Sequence, residues 1–197
     1  MANFDRLAEL GKPIFLRHDQ TALLRKYRLE ADAGAIYVRY CGERYAIDRL
    51  TANVTASDGT AAGPAVTLTV FDMLCHTEQA FAPVGEWRTT NMLPGCGQSN
   101  PDDTLLNRRL TARFEENTEA IREACRRLGG KPFPVGDVAW ELPVFDWFSV
   151  VFQFWLGDEE FPSAVRFLWD KSTLQYLHYE TLYYIMGHIL QTLDSMI

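Results

Sequence analysis

The chain has 197 residues, 26 acidic and 19 basic, for a formal net charge of −7. That balance excludes a generic basic nucleic-acid binder, which needs a Lys/Arg face to neutralise phosphates. A content of 47% hydrophobic and 13% aromatic residues excludes a disordered chain, and a chain of this length buries roughly 70% of the surface its unfolded form exposes.

At the N-terminus, Asp5, Arg6 and Glu9 stand where an export signal needs an apolar stretch, so a cytoplasmic protein is expected. Asn3 is placed to cap a short helix through Leu10, with Gly11 and Pro13 as its stop. Asp19 caps a second helix that carries Leu23, Leu24 and Tyr27 and ends near Ala33-Gly34. The runs AIYVRY and RYAID alternate around Cys41-Gly42-Glu43, a hairpin signal. SDGTAAGP reads as a loop. Val66, Val70, Met73 and Leu74 recur at helical spacing over residues 65–77. GEWRTTNMLPGCG reads as a loop ending in a turn on Pro94, Gly95 and Gly97. A helix over 115–128 turns Ile121, Cys125 and Leu128 inward and stops at Gly129-Gly130.

The last third reads as a strand meander, 138–142, 147–156 and 164–169, followed by a helix over 177–196. Residues 147–156, the longest apolar stretch, are half the length needed to cross a bilayer and contain Gln153, so no membrane span is expected. The helix has an apolar stripe of Leu182, Ile185, Met186, Ile189, Leu190 and Leu193. Gly187 costs it about 1 kcal/mol relative to alanine, which predicts a closely packed neighbour there. From Gly129 onward, nine acids accompany three bases and 15 of the 25 aromatics, so a site is sought there first.

Three features could carry chemistry. Asp158, Glu159 and Glu160, in GDEEFP between two aromatic strands, could hold a hard cation or supply a general base. The alternative is a tight turn in which Asp158 bonds backbone amides and Phe161 plugs the core. His178 enters the terminal helix two residues before Glu180; on a helix the two diverge, and only an extended backbone lets them converge. Glu86 and Trp87 would suit a flat ligand or a partner. Cys96, between Gly95 and Gly97, is the best reactive-thiol candidate. The four cysteines form no CxxC pair and read as thiols. Common nucleotide-, zinc- and serine-dependent motifs are absent from the sequence.

The ordered strings YCGERYAID, VFDMLCHT, GEWRTTNMLPG, LGGKP, FQFWLGDEEFPSAVRFLWD and LHYETLYYIMGHIL resemble an uncharacterised domain family of anaerobic bacteria and archaea, over about residues 21–193. Some of its members are joined to an iron–sulfur segment like that of corrinoid iron–sulfur proteins. The resemblance implies an anaerobic redox or one-carbon setting. This chain lacks the cluster-binding cysteines, so a cluster-related role would run through an iron–sulfur or corrinoid partner. It assigns neither a catalytic residue nor a cofactor.

These readings combine into one α+β domain, an N-terminal helix and hairpin unit with an antiparallel C-terminal meander covered by helices. The leading functional expectation is a non-catalytic ligand- or partner-binding accessory, with Glu86, Trp87 and Asp158 to Glu160 in one cleft. The rival is a metal-assisted hydrolase or lyase using Asp158, Glu159 or Glu160 with His178. A third reading is a homo-oligomeric structural protein; the sequence sets no oligomeric state.

Overall fold

A computed structural model describes residues 2–96 and 108–197; Gly97, in the expected turn after Pro94, lies outside them. The first helix, α1 (Ala2–Arg17), runs straight through Gly11 and Pro13 instead of stopping there. An interior proline costs a helix about 3 kcal/mol, and tertiary packing offsets it. A Cβ on Gly11 would lie 2.9 Å from Phe71, so only glycine lets α1 lie this close to its neighbour. One turn on, the fully buried Phe15 stacks on Phe71 at 5.3 Å.

The second helix, α2 (Gln20–Tyr27), begins as expected, with Asp19 Oδ1 accepting the amides of Thr21 and Ala22 at 2.8 and 3.2 Å. It ends at Tyr27, short of Ala33-Gly34, because Arg28 turns left-handed (φ 54°, ψ 42°) and its amide closes on Leu24. Asp32 then makes a turn of its own by accepting the amides of Gly34 and Ala35.

Four antiparallel strands form the first sheet in sequence order: β1 (Glu30–Ala31), β2 (Ala35–Tyr40), β3 (Glu43–Asp48) and β4 (Val54–Ala56). Cys41 and Gly42, at φ 47° and 83°, give the β2–β3 turn the left-handed pair that a tight hairpin needs. Ile36, Val38, Tyr40, Tyr45 and Ile47 face inward. Then comes α3 (Pro64–Cys75), with proline tolerated at its first position.

The second sheet has the order β5 (Trp87–Thr89), β9 (Ala164–Asp170), β8 (Phe148–Trp155), β7 (Val138–Phe145), β6 (Lys131–Pro132), all antiparallel. β5 lies in what reads as loop; three residues carry no period, and pairing with β9 (Trp87 opposite Asp170) makes them a strand. The buried Asp170 carboxylate pins that pairing. It accepts the amides of Val84, Gly85 and Ser172 at 3.1, 2.7 and 2.9 Å and the Ser172 hydroxyl at 2.6 Å. β7 continues past Leu142 because a bulge at Pro143 to Phe145 absorbs the proline. The central β8 is covered on both faces, and its buried Gln153 donates to the Val135 carbonyl at 2.6 Å.

The helix expected over 115–128 is α5 (Thr118–Arg127), and a further helix, α4 (Arg108–Glu116), precedes it. Asn117 breaks them apart at φ −125°, ψ 34°, its side chain donating to the Arg113 carbonyl at 2.8 Å. The last helix, α6 (Tyr179–Met196), buries the stripe read from its sequence. Tyr40 joins the two sheets. Fully buried, it lies 5.2 Å from the Phe145 ring and 4.6 Å from that of His188 on α6, while the Cys41 amide donates to the Val144 carbonyl at 2.8 Å. α3 lies between α1 and α6. The result is a single α+β domain.

Gly187 corrects the expectation made for it, since no atom beyond its chain neighbours and its own helix backbone lies within 4 Å of where its Cβ would be. Gly187→Ala is therefore expected to stabilise the protein by about 0.5–1 kcal/mol in urea unfolding. Asp170 carries a pH prediction. Burial raises its pKa, but the donors on Ser172, Val84 and Gly85 outweigh that and hold it below the ordinary carboxylate value. Its contribution is then complete above the unfolded pKa of about 3.9 and is lost as the pH falls through the folded value. Asp170→Asn is expected to cost on the order of 2 kcal/mol at pH 7, a deficit that narrows below about pH 4 when unfolding is followed across pH.

Candidate metal centre

Asp72 and His76 stand four residues apart at the end of α3, on one helical face. His178 opens α6 in extended conformation (φ −72°, ψ 154°) and makes no side-chain cap to that helix. Asp72 supplies the missing acceptor from α3. Its Oδ2 takes the His178 amide at 2.8 Å and the buried Thr181 hydroxyl at 2.5 Å.

The other oxygen, Oδ1, lies 2.5 Å from His178 Nδ1 and 3.5 Å from His76 Nδ1, and the two imidazole nitrogens are 3.1 Å apart. The ligand atoms of Asp72, His76 and His178 thus all fall within 4.8 Å of one another. The Asp72 side chain is 11% exposed, that of His76 23% and that of His178 66%, so the cluster is open on the His178 side. Burial, reinforced by His178 and opposed by Asp72, holds the His76 pKa below its ordinary value. His76 is then neutral at pH 7, the form that binds metal.

A proton on His178 Nδ1 satisfies Asp72 but leaves His76 aimed at a nitrogen with nothing further to give. A divalent cation satisfies all three. At metal–ligand bonds of about 2.0–2.2 Å, tetrahedral ligand atoms sit about 3.4 Å apart, so the Asp72–His178 pair has to open by roughly 1 Å and the His76–His178 pair by roughly 0.3 Å. Two imidazoles and a carboxylate suit a first-row transition ion and leave positions free.

The same three residues line a cavity of about 590 Å³. Glu180, Thr181 and Tyr184 complete its polar end, and α1 and α3 supply apolar walls. Burial pushes the Cys75 thiol in this cavity up to about 12, so it stays protonated and is no nucleophile. The Tyr184 hydroxyl is likewise raised, by burial and then by Glu180 and Asp72.

The other expected site residues lie elsewhere. Glu86 pairs with Arg88 at 2.7 Å and Lys171 at 3.3 Å, and the half-buried Trp87 meets the Phe133 ring edge-on at 6.4 Å. Asp158 makes the tight turn, its Oδ1 accepting the amides of Phe161 and Glu160 at 2.7 and 2.8 Å, which keeps its carboxyl below the ordinary range. Glu159 and Glu160 are exposed. Phe161 does not plug the core; it is 67% exposed. Cys96 is half-buried rather than displayed by its glycines, and burial raises its pKa.

No single cleft joins these groups. Trp87 pairs with the last residue of β9, whereas the 158–160 turn precedes the first, and seven strand residues separate the two by about 20 Å. Nor does the turn reach His178. Ser163, after the turn, bonds Glu115 on α4, and Arg113 of α4 pairs with Asp194 near the C-terminal end of α6 at 2.7 Å. His178 sits at the other end of that helix, whose 18 residues span about 27 Å.

The structure gives His178 other partners, Asp72 and His76, which the sequence reading passed over. The signal was the Asp-x-x-x-His spacing inside VFDMLCHT, on a segment correctly expected to be helical.

Fold and site together define an α+β domain with an Asp–His–His cluster in the wall of a largely apolar cavity. The chain belongs to the domain-of-unknown-function family DUF3786, whose model matches residues 19–192. No curated protein matches the chain, and no solved structure does. The cluster lies within the matched segment and α1 precedes it. No helix among the described residues is long and apolar enough to cross a membrane.

Thr181→Val keeps the shape of the side chain and removes its hydrogen bond to a carboxylate. It is expected to cost about 1.5–3 kcal/mol in urea unfolding; a loss under about 0.5 kcal/mol would show that Thr181 does not hold Asp72.

Proposed function

We propose that the chain is a metal-dependent hydrolase acting on a small molecule held in the cavity beside Asp72, His76 and His178. The carrying observation is the convergence of three ligand atoms within 4.8 Å at the polar end of that cavity. A transition ion with three protein ligands keeps a place for water and lowers its pKa toward about 7. Glu180 lines the same cavity, and to it falls the role of taking the proton of that water and returning it to the leaving group. Thr181 acts on Asp72 alone, fixing one oxygen so that the other is aimed.

The cluster also anchors α6, and His76 best separates the two roles because it touches the Asp72–His178 contact only through its ring and holds neither the His178 amide nor Thr181. Purified protein titrated with Zn²⁺ or Co²⁺ at pH 7.5 is expected to bind one ion. His76→Ala is expected to weaken binding at least about tenfold, with unfolding in the absence of metal nearly unchanged. Glu180→Gln is expected to retain the ion and lose hydrolysis of a p-nitrophenyl ester by about a hundredfold or more. Wild-type protein that binds no ion, or binds it equally well without His76, would sink the proposal.

A further inference from the structure

The cavity is asymmetric in a way that the ion cluster does not require. Leu7, Leu10 and Ile14 fall at helical spacing on one side of α1 and line it, facing Leu68 and Phe71 of α3. These three α1 side chains are 41, 58 and 46% exposed, an apolar row left uncovered beside a polar cluster. The packing that puts them there is specific, because the Gly11–Phe71 approach fixes how far α1 stands from α3. Among the described residues lining the cavity there is no lysine or arginine, and two, Asp72 and Glu180, are carboxylates. A phosphate ester or any multiply anionic body would meet these acids with only the ion to balance it. A neutral apolar body meets five aliphatic or aromatic walls. A volume of about 590 Å³ suits a small molecule.

We infer that the substrate is an ester of an apolar carboxylic acid, its carbonyl oxygen on the ion and its acyl chain lying beneath α1. This rests on the metal-dependent reading above and names the substrate class of that site. In the reaction, water attacks the acyl carbon, the bond to the alcohol oxygen breaks, and the proton taken by Glu180 passes to the departing alcohol. The free acid is the product. The ion cluster lies in the segment matched by the family model while the row of Leu7, Leu10 and Ile14 precedes it. Chain-length selectivity is thus assigned to α1 and chemistry to the α3–α6 junction.

The test uses the full chain and product acids as probes, so it does not depend on turnover. Zinc affinity is measured first by calorimetry. On zinc-loaded protein, octanoate, acetate and octyl phosphate are then compared. Octanoate is expected to bind at least about a hundredfold more tightly than acetate and more tightly than octyl phosphate. Leu10→Ser combined with Ile14→Ser changes two exposed positions, and is expected to erase most of that preference with zinc affinity unchanged.

Protein that binds zinc but holds octanoate no better than acetate overturns the inference and leaves the metal reading standing. Equal or tighter binding of octyl phosphate overturns the assignment to carboxylic acids. Light scattering that finds a dimer, converted to monomer by the double variant, overturns it in favour of a second copy covering α1. Failure to bind zinc removes both readings together.

Discussion

The Asp72 carboxylate is the constraint on which the two halves of the molecule turn. It stands in the last turn of α3, meets the start of α6 and bonds to both the amide and the ring of His178. A helix start left without an acceptor costs stability, and α6 finds its acceptor on another helix. Because α3 lies against α1 and also against α6, one side chain ties the N-terminal helices to the C-terminal one. Thr181 and His178 hold opposite oxygens of that group, so its plane is fixed as well as its place.

Tyr40 performs the corresponding service at the other junction. Its ring fills the space between β2, β7 and α6, touching Phe145 and His188. The hydrogen bond from Cys41 to Val144 beside it continues the contact in the backbone. Burial holds the His188 imidazole below its ordinary pKa, and pushes the Cys41 thiol upward. Both therefore serve at neutral pH as uncharged packing groups, the role that a dry junction allows.

What could be read from the sequence follows the range of the forces involved. The β2–β3 hairpin, the Asp19 cap and the buried stripe of α6 are local patterns, decided by alternation, a side-chain acceptor or helical period, and all three are in the structure. The end of α1 was not legible, since Gly11 and Pro13 read locally as a stop and only the Phe71 ring makes the glycine an asset. β5 was hidden for a similar reason, as three residues become a strand through Asp170, some eighty positions later. The metal cluster divides the same way. Asp72 and His76 share a face that their spacing already fixes, while His178 joins them from the far end of the chain. The acidic turn stands out by composition alone, whereas its Asp158 carboxylate accepts its own backbone amides.

That turn also has an outward consequence. Phe161 stands two-thirds exposed at its tip, an aromatic ring that would ordinarily invite another copy of the protein. Its neighbours in the chain are Asp158, Glu159 and Glu160. Two copies meeting tip to tip would have to bring both sets of carboxylates together before the rings could touch. The collar of like charge thus opposes a tip-to-tip contact between copies through this ring.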